Sequence, residues 1–145
     1  MVFDIDDTIL FDNARSGPNL QVLEFLRTSY AAGHKIHLVT ARSVSTRSET
    51  IAELKRSKVP FHTLDLATEK QRETMTSIAE YKFGARKKHG PVFVSFGDQW
   101  GDIFRLRDDR DVDLLDTRYE ASKMPWAVVE PEDGVTLWGV KLMSS

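Results

Sequence analysis

The run Val2-Phe3-Asp4-Ile5-Asp6-Asp7-Thr8-Ile9-Leu10 sets three carboxylates at the end of a short apolar stretch, with a threonine two residues after the second. Buried strand ends seldom carry acids unless something positive is bound there. In an extended segment, side chains two apart point the same way. Asp4 and Asp6 are therefore expected to project into one space while Phe3 and Ile5 pack below. Two aligned carboxylates and one cation are the start of a site for phosphoryl transfer.

Elements that alternate along the chain must position these groups. Met1 to Ile5 reads as a first strand. Pro18 and Asn19 open a helix with Leu20, Leu23, Leu26 and Tyr30 at helical spacing, and Gly33 stops it. Lys35 to Thr40 is a second strand, and Thr46 with Glu49 forms a capping box for the next helix, with Ile51 and Leu54 on one face. Phe61 to Leu66 is a third strand, followed by a long helix from about Thr68 to Lys88 with Met75, Ile78, Ala79 and Phe83 inward. Pro91 to Phe96 is a fourth strand with a nearly continuous apolar run, as expected when both sheet faces are covered. A short helix from Asp102 to about Arg107 and a fifth strand at Val112 to Leu115 follow. Near the end, Pro131-Glu132-Asp133-Gly134 joins two apolar runs as a hairpin.

This order predicts an α/β fold: a three-layer, Rossmann-like parallel sheet of about five strands flanked by helices, with a C-terminal β-hairpin, in a single domain over residues 1–145. Ligands of such sheets bind at the carboxyl ends of the strands. Asp4 and Asp6, Thr40, and Gly97 with Asp98 all fall at such ends.

The bulk properties narrow the function classes. At 145 residues with 41% apolar content, the chain can bury a real core. A net charge of −2 argues against nucleic-acid binding by bulk electrostatics. The absence of cysteine excludes disulfides and thiolate metal sites. No apolar run reaches the roughly 18 residues that span a bilayer, and Asp4 interrupts the only segment that could start a signal peptide, so a cytoplasmic or intracellular location is expected.

Asp4-Ile5-Asp6-Asp7-Thr8, the strand ending Leu38-Val39-Thr40, a later lysine, and Phe96-Gly97-Asp98-Gln99-Trp100-Gly101-Asp102 stand in the order found in the haloacid dehalogenase (HAD) superfamily, which the chain resembles. Gly-Asp-Gln-Trp is similar to the fourth motif of the class B and plant-type acid phosphatase branch, subfamily IIIB, and Tyr81-Lys82-x-x-x-Arg86 is similar to its third. That points to Lys82 as the motif lysine, with Lys70, Lys87 and Lys88 as rivals nearby. Asp7 departs from the branch, which usually has Glu there.

The resemblance implies a phosphoric monoester hydrolase working through an aspartyl phosphate on Asp4, with Asp6 as general acid and base. It also implies Mg²⁺, held by the carboxylates of Asp4 and Asp98 and the backbone carbonyl of Asp6, with Asp102 reaching the ion through water. Thr40, the backbone at Ala41, and Lys82 would hold the phosphoryl oxygens. Mg²⁺ and Lys82 together neutralise Asp4, Asp98 and Asp102, whose close pairs otherwise repel by on the order of 4 kcal/mol each at intermediate dielectric.

Neither the interval from Asp4 to Thr40 nor that from Thr40 to Lys82 has room for a cap domain. An uncapped site favours a phosphorylated macromolecule, or closure by a second copy in a homo-oligomer. Alternatives on the same scaffold are a nucleotidase, a polynucleotide 3′-phosphatase flanked by Arg42, Arg47 and Arg72, and an inactive binding protein. Arg42 otherwise reads as a solvated loop residue, Arg86-Lys87-Lys88-His89 as a wet helix end, and Trp100 as packing or rim. The four histidines show no ligand spacing and carry no assigned role.

Overall fold

A computed structural model describes residues 1–11, 17–119 and 126–143. The strands are β1 (Val2–Phe3), β2 (His37–Ser43), β3 (Thr63–Ala67), β4 (Val92–Gly97), β5 (Trp126–Val129) and β6 (Thr136–Leu142). The helices are α1 (Leu20–Ala31), α2 (Arg47–Arg56), α3 (Met75–Lys88) and α4 (Asp109–Tyr119). One sheet runs in the order β3-β2-β1-β4-β6-β5, parallel throughout except for the antiparallel β5–β6 pair. The expected α/β architecture is therefore present, with six strands rather than five.

Alternation along the strands builds two apolar layers. Phe3 and Leu38 pack with Leu23 and Leu26 of α1 and Leu54 of α2, whereas their neighbours Val2 and Val39 pack with Ala85 of α3. The two helical layers thus lie on opposite sheet faces, as period-two strands require. Phe3 stacks on Phe96 with ring centroids 4.7 Å apart, locking β1 to β4 at the base of the strand ends. A third cluster joins Ala79, Trp100, Ile103, Leu106 and Val129 beneath the loop that follows β4.

Several sequence expectations need correction. Val112 to Leu115 lies inside α4, not in a strand; Val112, Leu115 and Tyr119 are spaced at helical period and pack on the Trp100 cluster. The expected short helix at Asp102 to Arg107 is replaced by a single turn of 3₁₀ helix, Trp100–Asp102. Helix α3 starts at Met75, not Thr68, because Thr74 and Ser77 form a reciprocal capping box. At α2 the expected box does not form: Thr46 Oγ1 donates to the Ser43 carbonyl at 2.8 Å instead. Leu20, Tyr30 and Met75, expected inward, are exposed. Strand β2 continues past Thr40 to Ser43, which matters for the site. The C-terminal hairpin is part of the main sheet, since β6 pairs in parallel with β4. No helix among the described residues is long and apolar enough to cross a membrane.

Candidate active site

The chain leaves β1 at Phe3, and the Asp4 amide still donates to the Phe96 carbonyl at 3.0 Å. That bond aims the Asp4 side chain over the carboxyl end of β4. Beyond it the chain turns sharply. Asp7 adopts φ +58°, a left-handed conformation that aspartate tolerates better than most residues. The Ile5 carbonyl then accepts from the amides of Thr8, Ile9 and Leu10.

From the opposite side, α3 delivers Lys82. Its ammonium is buried and donates to Asp4 Oδ1 at 3.0 Å and to Asp102 Oδ1. Lys70, Lys87 and Lys88 are exposed, so burial singles out Lys82. Asp98 and Asp102 come from the turn after β4. Asp102 Oδ2 accepts from the Gln99 amide at 3.0 Å, and its carbonyl accepts from Ser95 Oγ at 2.8 Å. Gly97 is required beneath this turn: a Cβ there would stand 2.1 Å from that of Asp102. Asp4, Asp98 and Asp102 are all buried, and each offers one oxygen within 4.8 Å of the others.

Electrostatics follow from that crowding. Burial, with the charge of Asp102 adding to it, pushes the Asp4 carboxyl well above the usual range; Lys82 pulls the other way. Burial and Asp102 push Asp98 up too. Burial would lower Lys82, but Asp102 and Asp4 outweigh it and hold the ammonium charged. Three carboxylates facing one ammonium leave room for a divalent positive charge, and an all-oxygen donor set suits a hard cation such as Mg²⁺.

A cavity of about 460 Å³ opens over this group, lined among others by Asp4, Asp6, Ala41, Lys82, Asp98 and Asp102. The structure thus brings together every expected site residue but one. Thr40 is buried behind the wall. Its hydroxyl accepts from the Arg42 amide at 3.1 Å, and its carbonyl accepts from Tyr81 Oη at 2.9 Å. Asp102, expected to act through water, lies within the carboxylate cluster itself.

Arg42, expected either to flank the site or to sit solvated on a loop, is instead partly buried against an acid of the site. It binds Asp6 through both carboxylate oxygens and donates to Glu53 Oε2 at 2.7 Å and Thr50 Oγ1 at 3.2 Å. The signal was its position two residues after Thr40, on a strand that runs on to Ser43. Arg72 also lines the cavity, with Nε held 2.7 Å from the Ala41 carbonyl, whereas Arg47 is exposed at the start of α2. Trp100 is buried at the cavity wall, its indole N–H donating to Asp116 at 2.7 Å.

A family model described as HAD superfamily, subfamily IIIB (acid phosphatase), matches residues 11–122. The matched span includes Lys82, Asp98 and Asp102 and begins after Asp4 and Asp6, whose placement rests on the geometry above. The fold is similar to that of the class C acid phosphatase from Bacillus anthracis, with a TM-score of 0.60 and 17% sequence identity. The alignment covers 94% of this chain and 64% of that one, so the chain spans under two thirds of its neighbour's length. No curated protein matches the chain.

Proposed function

Because the chain belongs to subfamily IIIB of the HAD superfamily, the acid phosphatase family matched over residues 11–122, we propose that it hydrolyses phosphomonoesters with Asp4 as nucleophile. The observation that carries this reading is Lys82, buried between Asp4 and Asp102 at the wall of the cavity that Asp98 also lines. A buried ammonium shared by two carboxylates, beside a third, is a poor stabilising device on its own. It fits a site built to receive a cation and an anion together.

Asp4, Asp98 and Asp102 would hold Mg²⁺, with the backbone carbonyl of Asp6 as a further donor; the ion would neutralise their mutual repulsion and polarise the phosphoryl oxygens. Lys82 and the backbone at Ala41 face the same space and would bind the remaining oxygens. An Asp4 carboxylate oxygen attacks phosphorus, the bond from phosphorus to the ester oxygen breaks, and Asp6 gives its proton to that oxygen. Water then attacks the aspartyl phosphate, Asp6 takes a proton from it, and inorganic phosphate leaves with Asp4 restored. Asp6 is partly exposed and stands apart from the carboxylate cluster, and its pair with Arg42 favours the ionised form, the form that takes the proton from water.

Between β2 and β3 the structure holds only α2 with its connecting turns, and between β3 and β4 only α3 with its own. Nothing inserted there closes over the cavity, which supports a substrate whose phosphate projects from a larger molecule. The test is turnover of p-nitrophenyl phosphate with Mg²⁺ and with chelator, beside a panel of nucleotides, phosphopeptides and 3′-phosphorylated oligonucleotides. Chelation and Asp4→Asn should each abolish turnover. An Asp4→Asn protein as active as wild type sinks the nucleophile assignment.

A further inference from the structure

Four positions of α3 at helical spacing, Ala79, Lys82, Phe83 and Arg86, face inward together. Arg86 lies one turn beyond Lys82 and is only 1% exposed, although it opens a run of charges that includes the exposed Lys87 and Lys88. It does not line the cavity over Asp4. Its Nη1 donates to the Gly101 carbonyl at 3.1 Å. Its Nε and Nη2 are buried and find no hydrogen-bond partner among the described residues. Such a guanidinium is costly to bury. The charges of Asp102 and of Asp133, in the β5–β6 turn, offset part of that cost, and the group remains a cation at neutral pH.

The contact falls at a critical point. Gly101 precedes Asp102, within the one turn that presents both Asp98 and Asp102. That turn is packed from below by Gly97, from the side by Ala79 on Gly101, and is tied by Ser95 to the Asp102 carbonyl. Arg86 supplies a further anchor through the Gly101 carbonyl; its charge, which Asp102 offsets, by itself opposes a cation, so the contact and not the charge carries the positioning. We propose that Arg86 is a positioning residue for cation binding, pinning the Gly101 carbonyl so that Asp98 and Asp102 converge on one ion. The inference rests on the cation site proposed above.

The experiment measures Mn²⁺ binding to the protein without substrate, by electron paramagnetic resonance of free Mn²⁺, for wild type and Arg86→Met. Partners that orient ligands from behind typically account for about 10- to 100-fold in metal affinity, and a loss of that size is expected. At saturating Mn²⁺ the KM for p-nitrophenyl phosphate should stay within about threefold of wild type, since Arg86 does not touch the cavity. A purely structural role would instead lower melting temperature with Mn²⁺ affinity intact, and that result overturns the proposal. If Arg86→Met does not fold, Arg86→Lys keeps the buried charge but not the fork, and should still bind Mn²⁺ several-fold more weakly. Wild-type protein that binds no Mn²⁺ would overturn the cation site and this inference with it. Equal affinities in wild type and the folded variant overturn the inference alone.

Discussion

Arg42 grips Asp6 by both carboxylate oxygens, with Nη2 2.8 Å from Oδ1 and Nε 3.0 Å from Oδ2. The same guanidinium is braced from behind by Glu53 and Thr50 of α2. A residue on β2 therefore fixes the orientation of an acid on the loop after β1, and α2 fixes that residue. If Asp6 handles the proton, Arg42 sets where it stands.

Arg42→Lys should then slow turnover by roughly 10- to 100-fold, because a lysine keeps the charge but cannot make the paired bonds. The loss should be larger for an alkyl phosphate than for p-nitrophenyl phosphate, whose leaving group departs without help from an acid. Measuring kcat on both esters checks this. Equal losses on the two would mean that Arg42 acts on something other than the proton donor.

Lys82 offers a test of folding energetics. Replacing it with Met strands Asp4 and Asp102 in a buried site without their counter-charge. Breaking a buried pair on one side typically costs about 3–5 kcal/mol. Urea denaturation in chelator should show a loss of that order. Adding Asp102→Asn to Lys82→Met should recover part of it, because one of the stranded charges is gone. A double variant no more stable than the single one would argue against charge burial as the cause.

Much of this site was legible because buried charge is rare enough to read. Acids at the end of an apolar strand, and a Gly-Asp pair at the end of another, stood out by cost alone. What escaped was hidden by context. Arg42 looked solvated because β2 seemed to end at Thr40, whereas it runs to Ser43. Arg86 stood in the pattern shared with Tyr81 and Lys82, but the charge run it opens read as a wet helix end and hid its burial on the helical face of Ala79 and Lys82. Helix α4 was missed because the three apolar residues Val112, Leu114 and Leu115 fit either period, and only packing against Trp100 settles which one holds.

Cation binding should appear directly as stability. A ligand that binds only the folded state at about 100 times its dissociation constant adds about 2.7 kcal/mol. Mg²⁺ should therefore raise the melting temperature of the wild-type protein, and Asp98→Asn should remove most of the rise, since Asp98 is one of the three clustered carboxylates. Potassium at equal ionic strength controls for screening. An unchanged Mg²⁺ response in Asp98→Asn would remove Asp98 from the ligand set.

At the far end of the sheet, His37 stacks on His89 with ring centroids 3.9 Å apart and shares a 2.7 Å hydrogen bond with Thr63 Oγ1. Burial lowers His37 to about 4, with the positive charges of His89, the amino terminus and His62 adding to it and Asp65 opposing. A folded-state value below the unfolded 6.5 fixes the sign. The unfolded chain takes up the proton first, so the stability is fully present above pH 6.5 and is lost as pH falls toward 4. The site is partly open to solvent, and screening reduces the effect to about 1 kcal/mol, or about 3 °C in melting temperature for a chain of this size. His37→Gln should therefore lose less melting temperature than wild type between pH 7 and 4.5, whatever its stability at pH 7. Parallel curves for the two proteins would place the acid sensitivity in other groups.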